Sequence, residues 1–70
     1  MNENITIEVS LISILAQKPK RMVLNVAVAE WEQVQRLPLD LRMDYLHRMT
    51  DTELLRPQIR RVDVKVIRVG

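Results

Sequence analysis

His47 is the only histidine in this 70-residue chain, with Asp44 three residues before it and Asp51 four residues after. On a helix that spacing lets a carboxylate orient an imidazole, the beginning of acid–base or nucleophilic chemistry. The remainder of such a site is missing. The only serines, Ser10 and Ser13, fall in or near a strand-like segment, and nothing local to His47 supplies an oxyanion hole. The carboxylate pairs Glu30/Glu32 and Asp40/Asp44 would need a cleft that pushes their pKa values apart. Asp40 and Asp44 instead sit one turn apart near a helix N-terminus, where the helix dipole favours acids. We read His47 as a solvated helical histidine and the chain as not an enzyme, with no catalytic residue.

Bound groups are constrained by composition. Phosphate-cradling loops need glycine so that the backbone can approach the ligand. The single glycine is Gly70, so neither a dinucleotide fingerprint nor a P-loop can be written. Without cysteine there is no disulfide and no thiolate metal site, and one histidine argues against an all-protein zinc site. The expectation is no cofactor and no metal.

Recognition is better represented. Lys18, Lys20 and Arg21 put three cations around a turn at Pro19, and Arg61, Lys65 and Arg68 decorate the last strand-like segment. Together they could track phosphates. The formal net charge is only +2, but residues 36–70 carry eight basic against five acidic residues, while residues 1–35 carry three against four. Against a nucleic-acid reading, the strands carry no aromatic residue on which bases could stack. The other class is a protein partner. Isolated Trp, Tyr and Met are favoured at interfaces, and Trp31 is the residue most like a hot spot. Its competing role is a core cap between helix and sheet.

The elements that must position these residues follow from periodicity. Residues 5–11 alternate, with Ile5, Ile7, Val9 and Leu11 on one face and Thr6, Glu8 and Ser10 on the other. The alternation is lost over residues 12–16, which predicts either burial on both faces or a bulge. Pro19 marks a turn. A second strand over residues 21–28 places Met22, Leu24, Val26 and Val28 together, so the two strands form a hairpin with a basic tip. Residues 29–37 favour a short helix, with Glu32 and Arg36 spaced to pair, although the alternation of strand two could also run on through Trp31. Pro38 suits the start of another helix over residues 38–49, striped by Leu39, Met43 and Leu46, in which Asp44 can pair with Arg48. Leu41, Tyr45 and Met49 widen its apolar arc to roughly 200°, interrupted only by Arg42. That exceeds what one sheet covers, so the flank carrying Leu41 and Tyr45 is assigned to a second subunit or partner. Thr50, Asp51, Thr52 and Glu53 have capping-box spacing and predict one further turn through Arg56, stopped by Pro57. The last strand alternates Val62, Val64 and Val66, to be buried, with Arg61, Asp63 and Lys65, to be exposed.

The predicted fold is therefore α+β, a small three-stranded antiparallel sheet in the order β-β-α-α-β with one or two helices on one face, forming one domain over residues 1–70. A chain this short buries only about 60% of its unfolded surface, and self-association offsets a small core. Its apolar runs fall short of the roughly 18 residues of a membrane span, and residues 1–4 lack the positive start of a signal peptide. We expect a cytoplasmic, non-membrane homo-oligomer. Its preferred function is a protein–protein interaction module through Trp31, Leu41 and Tyr45. The alternative is a small DNA-binding regulator using Lys18, Lys20, Arg21, Arg61, Lys65 and Arg68.

Overall fold

The alternating segments pair as the pattern requires. In the computed structural model, which describes residues 3–69, β1 (Asn4–Ser13) is the central strand of a three-stranded antiparallel sheet ordered β2-β1-β3. β2 (Lys20–Ala27) and β3 (Ile59–Val69) flank it. Helices α1 (Val28–Gln35) and α2 (Leu39–Thr50) cover one face, and a single 3₁₀ turn at Arg56–Gln58 leads into β3. The fold is the α+β arrangement read from the sequence. Gly70 lies outside the described residues.

The inner face of β1 is the spine of the core. Ile7, Val9 and Leu11 are fully buried, and Trp31 and Val34 of α1 and Leu46 of α2 close over them. β1 keeps its alternation to the end, so Ser13 is buried inward and its hydroxyl accepts the Leu15 N–H at 2.9 Å to close the strand. The expected irregularity does fall at Ile12/Ser13, but the extra residue is Arg60 on β3. A second shift between Thr6 and Ile7 makes Ile67 the extra residue at the far end of β3. Two bulges thus bound the regular stretch of that strand.

Helix α1 is terminated by tertiary contacts more than by its own side chains. β2 passes directly into α1, and the Val28 N–H bonds to the Glu3 carbonyl at 3.0 Å, so one orphan donor of the helix extends the β1–β2 ladder. At the other end of α1, Arg42 reaches across from α2 and donates Nη2 to the Gln35 and Leu37 carbonyls at 2.9 and 3.2 Å. α2 ends at Asp51, whose backbone is left-handed at φ 47, ψ 44. The further helical turn expected after Thr50 does not form. Thr50 Oγ1 bonds back to the His47 carbonyl at 2.8 Å instead of capping a new helix, and Pro57 lies inside the 3₁₀ turn rather than stopping a helix before it.

β3 is where burial departs most from expectation. Val62 and Val64 are half-buried, but Val66 is 45% exposed. The helical layer does not reach the C-terminal end of the strand, and Leu39, on the predicted stripe of α2, is left 65% exposed beside it. Eleven residues of strand span about 36 Å, which sets the long dimension of a molecule measuring 41 × 22 × 16 Å. The radius of gyration, 12.1 Å, exceeds the roughly 11 Å of a compact 70-residue domain.

Candidate functional site

The residues singled out for a protein partner do not converge on one surface. Trp31 is only 6% exposed and belongs to the core, the place a cap between helix and sheet would take. Leu41 and Tyr45 lie on the opposite flank of α2, lining a shallow concavity of about 540 Å³ with Leu37 and Arg48. Tyr45 donates its hydroxyl to Glu30 of α1, tying the two helices together. Partial burial, the hydrogen bond and the Glu30 charge push its phenol from 10.0 up to about 12, against a smaller lowering by Arg48.

The same concavity contains His47 and Asp44, and each has another partner. Asp44 Oδ1 accepts from Arg56 Nε at 2.6 Å, not from Arg48 as the helical spacing suggested. His47 Nε2 lies 2.6 Å from the Leu54 carbonyl. A carbonyl can only accept, so this nitrogen carries the proton. His47 is therefore a half-buried tether for the loop after α2, where a solvated residue was expected. Among the described residues no three His, Cys, Asp or Glu side chains gather as metal ligands.

A second concavity, of about 290 Å³, opens between the helices and β3. Trp31 forms part of its floor; Leu39, Met43 and Leu46 line one wall and Val62, Val64 and Val66 the other. Arg42 lines it too, and its Nε is buried with no hydrogen-bond partner among the described residues. Sequence reading registered Arg42 only as a break in an apolar arc. Its reach to the end of α1 ties the guanidinium to the Gln35 and Leu37 carbonyls. β3 borders the groove as an edge strand, and its outer edge has no backbone partner among the described residues.

The cations sort by strand register. Arg21, Arg61, Lys65 and Arg68 all emerge on the open face of the sheet, opposite the helices. Arg21 flanks Ser10, Arg61 lies beside Ile12, Lys65 beside Glu8 and Arg68 beside Thr6. Glu8 and Asp63 interrupt this stripe, and Arg61 pairs with Asp63 at 3.1 Å. Lys20 falls on the other side, with Nζ 3.4 Å from Thr52 Oγ1, and Lys18 is exposed in the turn between β1 and β2. No aromatic side chain shares the open face, because Trp31 and Tyr45 are both on helices.

No family model, curated protein or solved structure matches this chain. Among the described residues no helix is long and apolar enough to cross a membrane.

Proposed function

We propose that this chain is a non-enzymatic protein–protein interaction module, a small inhibitor, adaptor or regulatory subunit that works as a homodimer. The observation that carries the reading is the groove lined by Leu39, Met43, Val62, Val64 and Val66 beside an open strand edge. The groove volume is about 290 Å³. It suits one or two inserted side chains. Leu39, exposed at the rim, would be covered by the same partner. Lack of cysteine suits a reducing cytoplasm, where we put the protein.

Light scattering at micromolar concentration tests this. The wild-type chain should be a dimer or larger, and Leu39→Glu should reduce it to a folded 8.3 kDa monomer. A wild-type monomer that also captures nothing from its native host removes the reading.

The second reading is a DNA-binding regulator, favoured by the collection of Arg21, Arg61, Lys65 and Arg68 on one face. Its affinity for duplex DNA should fall with salt at a log–log slope of about −0.9 per phosphate contacted. Replacing Arg21, Arg61, Lys65 and Arg68 with alanine should flatten that slope. Absence of binding at low salt eliminates this reading.

A further inference from the structure

The open edge of β3 has a charge pattern that matches itself. Between its bulges the strand is regular over residues 61–66, reading Arg, Val, Asp, Val, Lys, Val. An antiparallel pair of such edges places directly opposite residues on the same side of the sheet. A register shifted by one residue would set valines against charges, so only alternate registers keep the two valine faces together. Centring the pair on Asp63 opposes Asp63 to Asp63 and Arg61 to Lys65. Centring it on Lys65 opposes Lys65 to Lys65. Centring it on Val62 runs into the bulge at Arg60 after a single residue on each side. Centring it on Val64 opposes Asp63 to Lys65 twice, Val62 to Val66 twice, and Val64 to itself.

Resting on the homodimer reading above, we infer that two copies of this chain join β3 to β3 about a two-fold axis at Val64, forming a six-stranded sheet. Lysines and bulges on an edge strand ordinarily prevent pairing. Here the bulges delimit a five-residue register, and Asp63, already paired with Arg61 of its own strand at 3.1 Å, also faces the lysine that would otherwise repel. The arrangement is isologous, each strand using the same residues on its partner. It puts the inner faces of both β3 strands on one side, so the two grooves lie next to each other across the axis. Six valines, three from each copy, then form one continuous apolar strip between the two grooves. Exposed Val66 gains Val62 of the second copy as its cross-strand neighbour. The other sheet edge offers no such match. β2 carries Arg21, Val23 and Asn25 on its open face, with no acid to oppose the arginine.

The test is a charge swap in the full chain, read by sedimentation equilibrium at low salt, with circular dichroism confirming the fold. Asp63→Lys and Lys65→Asp each turn two attractive cross-strand pairs into repulsive ones, and each should weaken the dimer about tenfold. The double swap should restore affinity to near wild type. Mixing the two single variants should give a heterodimer in preference to either homodimer, since each then supplies the charge the other lacks. Val64→Cys adds a geometric readout in a chain without native cysteine: it should cross-link to itself under mild oxidation, while Val23→Cys, on the opposite edge, should not. A dimer that Leu39→Glu dissociates but that ignores the swaps and leaves Val64→Cys unlinked overturns the strand register and leaves the interaction module standing. Self-linking through Val23→Cys alone also overturns it, in favour of the β2 edge. A wild-type monomer removes this inference and the homodimer claim together.

Discussion

Arg56 donates its Nε proton to Asp44 at 2.6 Å, clipping the 3₁₀ turn that precedes β3 onto the middle of α2. One turn along α2, His47 holds the Leu54 carbonyl at 2.6 Å. The two contacts fix the segment between the helical layer and the last strand, and through it the start of β3.

The contacts should differ in their response to salt. Both members of the ion pair are partly exposed, so Asp44→Ala should cost no more than about 1 kcal/mol, shrinking as salt rises. His47→Ala removes a hydrogen bond that is partly buried. It should cost about 1 kcal/mol at any ionic strength. Urea denaturation at low and high salt measures both. Equal salt dependence would mean that His47 acts through its charge and not as the donor to Leu54.

Neither contact was legible in the sequence, for a common reason. Asp44 and Arg56 are twelve residues apart, and Asp44 has a better-spaced helical candidate in Arg48. Local spacing ranks only local pairs. The sheet was legible because burial on one face writes a period of two into β1 and β3. Where β3 outruns the helical layer, the pattern continues and the burial does not, so Val66 and Leu39 were misread from correct periodicities. The turn after Thr50 was misread because a capping-box spacing can serve another geometry. Of the groove, the sequence displayed the valines and the leucines, but Arg42 carried no signal. Its importance comes from α1 ending within its reach.

The stripe of α2 separates into two energetic classes. Leu46 is 2% exposed and packs on the spine of β1. Leu46→Ala should cost about 2–5 kcal/mol. Leu39→Ala, at the same helical phase but beyond the sheet, should stay within about 0.5 kcal/mol in dilute monomer. On β3, half-buried Val64→Ala should be clearly more damaging than exposed Lys65→Ala. Thermal and chemical denaturation of the four variants gives the ranking, and a Leu39 cost near that of Leu46 would place α2 one turn further over the sheet.

Asp51 is the one described residue other than glycine with positive φ. It ends α2 where a left-handed residue is needed and glycine is the ordinary choice. Aspartate tolerates the region at some cost in strain. Asp51→Gly should therefore stabilise the fold by a few tenths to about 1 kcal/mol, because relief of strain outweighs the added freedom of the unfolded chain. Asp51→Val, β-branched, should destabilise it by more than that. If glycine destabilises instead, the carboxylate of Asp51 contributes more than the backbone conformation costs.

Tyr45 reports on the junction of α1 with α2. It is the only tyrosine, so phenolate absorbance follows this group alone. Burial first, then the hydrogen bond to Glu30 and the charge of Glu30, hold its pKa at about 12 against an ordinary 10.0. The folded state thus keeps a proton that the unfolded chain loses. The stabilisation this gives is fully present below pH 10 and is lost as pH rises from there through 12. An alkaline titration should show no phenolate near pH 10 while the chain is folded, with absorbance appearing either at about pH 12 or at the pH of unfolding. Glu30→Gln should move that midpoint toward 10, since it removes the charge and leaves the burial. Tyr45→Phe should flatten the fall in stability over the same interval. If phenolate instead forms smoothly at pH 10 in the folded chain, Tyr45 is solvated and the two helices are held by Arg42 and apolar packing alone.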